Sequence, residues 1–377
     1  MPDVDIVIVG GGPAGLSTAG ALKSIGLEAV VLDKDDRIGG SWARRYERLH
    51  LHTVRAFSGL AHFPIPRHFP KYISKDLYAQ YLQDYARHFN LNYNLNSLVR
   101  KVRAADDGDT HNLIVETEGE TWHSRVVVVA TGQFCAPVLP NWSGLDEYQG
   151  RVIHSFRYKT GRDYAGQRVL VIGVGNSGAE IAADLAEQGA SFVAISIRTP
   201  PPVVPRDLLG TPVQVFGILM SLLPPRLADQ IGYTLARIAM GDLTRYGLRR
   251  PAWLPFTAKR IPIIDVGFIK EVKKGEVRVR PNIARFTRTG VVYEDGQEEG
   301  FDVVIAATGF TTGLDQLLDV SGMLDTKGLP MFPQGQPTAK SGLFFMGYVE
   351  SQRGHLYEAN LASRQLAKIV KKYLSSS

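Results

Sequence analysis

Cysteine is almost missing from this sequence, in which Cys135 is the only one among 377 residues. The chain therefore has neither an intramolecular disulfide nor a Cys-x-x-Cys pair, which excludes enzymes that pass electrons through a protein dithiol. Long hydrophobic runs are missing too, because the longest, Val213–Leu223, is shorter than the roughly 20 residues that span a bilayer. No secretory leader precedes the first predicted strand, and we expect a cytoplasmic protein.

A basic tract interleaved with stacking aromatic residues is also absent, although the net charge is +6. Nucleic-acid binding is therefore not expected, and no metal site is expected. The hydrophobic content of 44% and the charged content of 21% are ordinary for a soluble globular enzyme. A length of 377 residues favours two domains.

Two stretches of the chain follow the pattern of strand, glycine-rich turn, helix and strand. In each, a continuously apolar run, typical of a buried parallel strand, leads into a glycine cluster. The pattern predicts an α/β protein with two Rossmann-like dinucleotide-binding domains. The predicted elements are Val4–Val9, Ala14–Ile25 and Ala29–Leu32 in the first stretch, and Val169–Ile172, Ser177–Gln188 and Phe192–Ile197 in the second.

The first glycine cluster, Gly10–Gly15, reads GxGxxG. Its glycines permit a tight turn, the close approach of a pyrophosphate and close packing of the helix on the strand. Asp33 ends the next strand, where a carboxylate accepts hydrogen bonds from a ribose diol. A dinucleotide site is predicted here, with a purely structural turn as the alternative.

The second cluster, Gly173–Gly178, repeats the motif, but Arg198 follows its second strand in place of an acid. An arginine there removes the repulsion of a 2′-phosphate and offers it a bidentate fork, which favours NADPH over NADH. A solvated arginine is the alternative. Two dinucleotide sites in one chain predict a flavin and a nicotinamide cofactor, with hydride passing from the nicotinamide to the flavin.

The stretch Asp33–Trp42 with the first glycine cluster resembles the FAD-binding opening of flavoproteins that have two dinucleotide-binding domains. The Ala-Thr-Gly turns at Ala130–Gly132 and Ala307–Gly309 match the same superfamily. Its disulfide reductases require the cysteine pair that this chain lacks. Oxygen or another external acceptor is therefore expected to take the electrons of the reduced flavin.

The segment Tyr148–Tyr158 resembles the signature FxGxxxHxxxY of flavin-containing monooxygenases, with Tyr148 in place of Phe. The likeness extends over essentially the whole chain. The branch that it resembles is the YUCCA-type, indole-3-pyruvate monooxygenase-like branch with its microbial relatives. Further matching stretches are Tyr46–His52, Phe63–Pro66 with Phe69–Tyr72, Val204–Arg206, Gly241–Asp242 with Arg245–Leu248, and Pro262–Gly267.

The resemblance implies that FAD occupies the first site and NADPH the second. The expected FAD-binding domain comprises 1–155 and 300–377, and the expected NADPH-binding domain is the inserted segment 156–299. In this family NADPH reduces FAD, oxygen adds to give a C4a-(hydro)peroxyflavin, and one oxygen atom enters a small organic substrate. Oxidative decarboxylation of an aromatic 2-oxo acid is the first expectation. A broad heteroatom or ketone oxygenase, and an NADPH-dependent flavin reductase or oxidase that serves another acceptor, are the alternatives.

Three residues are catalytic candidates. Many flavin monooxygenases carry an asparagine near the flavin, and the corresponding stretch His50–Thr53 lacks it. His52 and Thr53 are the possible replacements, with packing as their alternative role. His154 is the third candidate, unless it is a linker histidine with a structural hydrogen bond. The expected cofactor-binding residues are Gly10, Gly12, Pro13, Ala14, Gly15, Asp33, Lys34, Gly40, Ser41, Trp42, His52, Thr131, Gly132, Gly173, Gly175, Asn176, Ser177, Gly178, Arg198, Arg206, Thr308 and Gly309.

Two segments are open to more than one interpretation. Val213–Leu223, followed by Arg226, fits buried core, the wall of a substrate tunnel or a membrane contact. Ser351–Leu356 differs from the Gly-Leu-Phe-Gly type of the plant sequences, and this region lies near the flavin in the family, so we expect it to affect substrate choice. The expected partners are a small-molecule substrate and oxygen, and the oligomeric state is left open.

Overall fold

The computed structural model describes residues 3–105 and 113–376, and the chain divides into two compact units. The first unit consists of Met1–Arg44, Thr53–Ala136 and Phe310–Ser377, and the second of Arg45–His52 and Pro137–Gly309. These bounds differ from the expected domains, 1–155 with 300–377 and 156–299. The reason is that the strands Arg151–His154 and Val303–Ala306 pair within the sheet of the second unit. Which unit holds which cofactor stays a prediction.

In the described part of the first unit, eight strands form a mixed sheet. They are β1 (Asp3–Val9), β2 (Val30–Leu32), β3 (Asn92–Asn94), β4 (Val99–Ala104), β5 (Leu113–Thr117), β6 (Thr121–Val129), β21 (Leu318–Asp319) and β22 (Leu343–Phe345). The central β1 pairs in parallel with β2 and β6, β2 continues to β3, and β22 also joins β6 in parallel. An antiparallel extension, β4 and β5, lies beyond β6.

Helices cover the parallel part of this sheet. Ile6 and Ile8 of β1 pack in one apolar cluster with residues of the helices α1 (Pro13–Lys23) and α10 (His355–Ser376), whereas Val7 and Val9 belong to a second cluster on the opposite face. Burial on both faces explains why the strand is apolar at successive positions. The helices of this unit are α1 (Pro13–Lys23), α2 (Gly40–Ala43), α3 (Lys75–His88), α9 (Leu314–Leu317) and α10 (His355–Ser376).

The second unit is built on a five-stranded parallel sheet with the order β15-β10-β9-β19-β8. These strands are β8 (Arg151–His154), β9 (Arg168–Ile172), β10 (Phe192–Ser196), β15 (Val277–Arg280) and β19 (Val303–Ala306). One face packs against α4 (Asn176–Glu187) and α8 (Phe268–Lys274). An antiparallel sheet of β16 (Ile283–Phe286), β17 (Gly290–Tyr293) and β18 (Glu298–Gly300) contributes to the apolar cluster on the other face. The predicted α/β class with two Rossmann-like sheets is confirmed.

The connection that follows β10 carries a helical segment. Its strands are β11 (Val203–Pro205), β12 (Asp207–Leu208), β13 (Thr211–Pro212) and β14 (Ile263–Asp265), and its helices are α5 (Val213–Met220), α6 (Pro225–Met240) and α7 (Pro255–Ala258). The short strands β7 (Ala136–Pro137) and β20 (Phe310–Thr311) lie where the chain passes from one unit to the other.

Helix α5 does not form buried core, because Gln214 is its only buried residue and its apolar side chains are all at least partly exposed. The buried-core interpretation of Val213–Leu223 is therefore wrong. No helix in the described ranges is both long enough and apolar enough to cross a bilayer.

The long helix α10 offers a direct test of the first unit's core. Leu366 is fully buried in the cluster that joins α10 to α1, whereas Leu361 on the same helix is an exposed leucine. We expect Leu366→Ala to lower the free energy of unfolding by about 2–5 kcal/mol, because it removes buried apolar contacts and leaves a cavity. Urea denaturation measures the change. Leu361→Ala is the matched control, and equal losses in both variants would contradict this packing.

Candidate cofactor sites

The first glycine loop connects β1 to α1 and brings the helix start against the end of the strand. Gly10 has φ +104°, and a Cβ there would lie 2.7 Å from the carbonyl oxygen of Ala130. A Cβ on Gly15 would overlap the carbonyl oxygen of Gly10. A Cβ on Gly12, in contrast, would meet no atom within 4 Å. A Cβ on Gly11 would overlap the hydroxyl of Tyr93. The loop is therefore open at Gly12 alone, where a pyrophosphate fits against the free amides of the helix N-terminus.

Asp33 lies beside this loop, as the sequence predicts. Its Oδ2 accepts a hydrogen bond of 2.7 Å from the Gly11 amide, and its Oδ1 accepts one of 2.9 Å from the Asp35 amide. The hydroxyl of Tyr93 donates to the carbonyl of Gly11 at 2.9 Å. Burial is the main cause that raises the pKa of Asp33 above its ordinary value. Oδ1 has a lone pair beyond its bond to the Asp35 amide for a ribose hydroxyl, whereas Oδ2 also lies 3.4 Å from the hydroxyl of Tyr93.

The other expected residues of the first unit surround the loop or lie beyond it. Pro13 and Ala14 begin α1, and Ala14 faces Gly347 after β22. Thr131 hydrogen-bonds through its hydroxyl to Tyr348 at 2.7 Å, which fixes the first Ala-Thr-Gly turn. The remaining members are the exposed Lys34, Gly132 with positive φ, and Gly40, Ser41 and Trp42 of α2, where Trp42 packs edge-on to Tyr78.

The second glycine loop, between β9 and α4, repeats this geometry. Gly173 has φ +96°, and a Cβ there would lie 2.6 Å from the carbonyl oxygen of Ala307. A Cβ on Gly178 would overlap the carbonyl oxygen of Gly173, and one on Gly175 would meet no atom within 4 Å. The second Ala-Thr-Gly turn therefore abuts this loop just as the first abuts Gly10. The two loops have the same shape and suit the same chemical group.

Helix α4 carries, just after its first turn, a buried carboxylate that the sequence analysis did not single out. Glu180 pairs with Nε2 of His52, and it also hydrogen-bonds with the hydroxyl of Tyr46. Burial, the largest cause, raises the pKa of Tyr46 well above its usual range, so the phenol stays protonated and donates. Ser177 contacts the same hydroxyl. A glutamate three positions after Ser177, in a helix made mostly of small and apolar residues, is the sequence signal that could have identified it.

The remaining expected cofactor-binding residues of the second unit differ in their exposure and in their hydrogen bonds. Arg198 follows β10 and is exposed, and Arg206 is half-buried after β11. The side-chain amide of Asn176 bonds the protein at both ends, because its Oδ1 accepts a hydrogen bond of 2.8 Å from the Ile264 amide and its Nδ2 donates to the carbonyl of Pro262 at 3.4 Å. The first of these bonds ties the loop to β14. Thr308 donates to the carbonyl of Val138.

The signature segment Tyr148–Tyr158 is held by one hydrogen bond within itself and by bonds to Gly309 and Asp184. Nδ1 of His154 accepts from the Phe156 amide at 3.1 Å, which leaves Nε2 to donate to the carbonyl of Gly309 at 3.0 Å. Burial lowers the pKa of His154 from its ordinary value, which favours this neutral form. The hydroxyl of Tyr158 donates to the buried Asp184 at 2.5 Å. Nε2 thus anchors the second Ala-Thr-Gly turn, while Nδ1 fixes the backbone of the signature segment itself.

Thr53 and the C-terminal segment belong to the first unit. The hydroxyl of Thr53 hydrogen-bonds with Ser58 at 2.8 Å. Phe134 is 53% exposed, and its ring lies edge-on to Phe310 and to His355 at centroid distances of 5.8 and 6.5 Å. His355 begins α10, and burial lowers its pKa. These three rings form an aromatic corner in which Phe134 is exposed.

Known proteins with similar sequences agree with this picture. The model of the flavin-binding monooxygenase-like family matches residues 4–375. The chain is 37% identical to indole-3-pyruvate monooxygenase YUCCA6 of Arabidopsis thaliana, over 97% of this chain and 90% of that protein. It is 36% identical to indole-3-pyruvate monooxygenase YUCCA1 of Oryza sativa subsp. japonica, over 93% of this chain and 87% of that protein.

Solved structures give the same result. A flavin-containing monooxygenase from Stenotrophomonas maltophilia superposes with a TM-score of 0.74 at 26% identity, covering 99% of this chain and 100% of that one. A steroid monooxygenase bound to NADP superposes with a TM-score of 0.78 at 20% identity, covering 100% and 86%; at that identity the likeness concerns the fold. The chain belongs to the flavin-binding monooxygenase-like family, and it is a flavoprotein oxidoreductase that uses FAD and NADPH, the monooxygenase that its sequence predicts.

Proposed function

We propose that this protein binds FAD at the loop of the first unit and NADPH at the loop of the second, and oxidatively decarboxylates an aromatic 2-oxo acid. The observation that carries the proposal is the duplicated loop, open at Gly12 and at Gly175. The two loops differ in the residue that ends the following strand. Asp33 suits a ribose diol, and Arg198 suits a 2′-phosphate.

When bound, NADPH supplies hydride and FAD, once reduced, supplies the electrons that activate oxygen. The protein's own groups bind and orient. Asp33 holds a ribose, and the amides at the N-termini of α1 and α4 hold the pyrophosphates. Glu180 fixes the ring of His52 through Nε2, and His154 holds the second Ala-Thr-Gly turn through Gly309. Among the three catalytic candidates, His154 therefore acts by positioning the turn.

An aromatic substrate is supported by two independent facts. The relatives named above act on indole-3-pyruvate, and the corner of Phe134, Phe310 and His355 offers an aromatic edge for an edge-to-face contact. For a 2-oxo acid the overall reaction consumes NADPH, a proton and oxygen, and releases carbon dioxide, water, NADP⁺ and the acid shortened by one carbon.

The assignment of cofactors to the two loops can be tested by replacing one glycine with alanine in each loop, which adds a single methyl group. Gly12→Ala and Gly175→Ala meet no protein atom, so the fold should persist while the methyl group obstructs the pyrophosphate. We expect Gly12→Ala to weaken FAD binding and Gly175→Ala to weaken NADP⁺ binding, each by about tenfold or more. Fluorescence titration of the refolded apoprotein with FAD, and of the holoenzyme with NADP⁺, measures both.

Gly119→Ala is the control, because a Cβ there also meets no atom and the residue lies in a turn far along the sequence from both loops. Circular dichroism establishes that all three variants fold. A reversed pattern, with Gly12→Ala affecting NADP⁺ and sparing FAD, would contradict the assignment.

The preference for NADPH provides a second test. Arg198→Ala removes the proposed charged hydrogen bonds to the 2′-phosphate, which contribute about 1.5–3 kcal/mol. We therefore expect KM for NADPH to rise by about tenfold or more while KM for NADH stays nearly constant. Arg285→Ala, another exposed arginine of the second unit, is the control. Equal increases in KM for NADPH and for NADH would show that Arg198 does not bind the 2′-phosphate.

The reaction itself is tested with anaerobically NADPH-reduced holoenzyme mixed with oxygenated buffer. We expect a flavin spectrum distinct from the reduced and oxidised forms before the oxidised flavin returns, and conversion of indole-3-pyruvate to indole-3-acetate with one NADPH consumed per product. Product from a sulfide or ketone but not from a 2-oxo acid would favour the broad oxygenase. Immediate return to oxidised flavin with stoichiometric hydrogen peroxide would favour the oxidase or reductase.

A further inference from the structure

The segment 206–260, which contains α5, α6 and α7, concentrates the protein's positive charge. It carries eight basic side chains and three acidic ones, so it accounts for most of the net charge of +6 of the whole chain. One of the three acids, Asp229, is buried and accepts hydrogen bonds from the amides of Phe256 and Thr257 at the start of α7. The surface of the segment therefore carries a larger excess of positive charge than a count of its charged residues indicates.

Helix α5 has the reverse of the burial expected for a soluble protein. Apart from Gln214 its residues are apolar or glycine, a composition that is typical of a buried helix. Gln214, the polar residue, is nevertheless the only one of them that is buried. Water-exposed apolar side chains continue into the turn between α5 and α6. The exposed large apolar residues there are Leu219, Leu222, Leu223 and Leu227.

Neighbouring elements add to this surface. Leu222 is 81% exposed, Ile238 of α6 is 77% exposed, and Leu209 at the tip of the β12–β13 hairpin is 97% exposed. Arg226 and Arg237 are exposed on α6 beside them in sequence. We call the residues Leu219, Leu222, Leu223, Arg226 and Leu227 the α5–α6 tip.

We propose that the α5–α6 tip inserts into an anionic lipid surface, with its leucines in the acyl boundary and its arginines at the lipid phosphates. Short apolar elements flanked by arginine lie in this interface without spanning the bilayer. A second copy of the chain is the less favourable occupant, because it would bring two basic segments together, and like charges oppose such pairing. An anionic membrane matches both the leucines and the charge.

The holoenzyme tests this by co-sedimentation with two kinds of vesicle, phosphatidylcholine alone and phosphatidylcholine with about one-third phosphatidylserine. We expect binding to the anionic vesicles and much weaker binding to the neutral ones. Leu222→Asn should lower the partition coefficient by about tenfold, because the variant loses the favourable transfer of a leucine side chain from water into the membrane. Arg226→Gln should lower it by about fivefold, the effect of one charge near the surface.

Met331→Asn is the matched control, since Met331 is 62% exposed but belongs to the first unit. Its partition coefficient should equal that of the unchanged protein, and flavin content and NADPH oxidation should be the same in all variants. Sedimentation equilibrium runs in parallel. Absent vesicle binding, or equal binding by Leu222→Asn, overturns the proposal, and a dimer that Leu222→Asn dissociates would assign the tip to a contact between copies.

Discussion

The close contact between the third and the first glycine of each loop is the constraint on which the two sites depend. No side chain fits at Gly15 or Gly178, because it would overlap the carbonyl oxygen of Gly10 or Gly173. Only this contact lets the N-terminus of the helix lie directly on the end of the strand. In each unit the amides at the start of the one helix then point at its own loop, where backbone groups can hold an anion of the size of a pyrophosphate.

Much of this could be predicted because the relevant residues are neighbours in the sequence. A GxGxxG motif between an apolar strand and a helix dictates its own geometry, and the residue after the next strand lies beside the loop by the rules of the βαβ unit. Asp33 therefore lies at the first loop, and its hydrogen bond to Gly11 is part of the same unit. The fold class followed from the same local patterns repeated twice.

The rest depends on pairs of residues that are distant in the sequence. Glu180 and His52 are separated by 128 positions, and no local pattern places a residue of the segment Arg45–His52 in the second unit. The role of His154 depends on Gly309, which the motif does not include. The apolar sequence of α5 also led to a wrong prediction of burial. Burial depends on what packs around a helix, and the hydrophobicity of the helix itself does not reveal that.

The division of the chain into alternating segments sets the order in which the protein is completed during synthesis. The second unit has all of its strands once Gly309 has been made. The first unit begins earlier, but until residues 343–376 have been made it lacks the strand β22, which joins its sheet, and the long helix α10, which covers one face of that sheet. The second unit is therefore able to fold first. One apolar face of the first unit's sheet stays uncovered until α10 has been made.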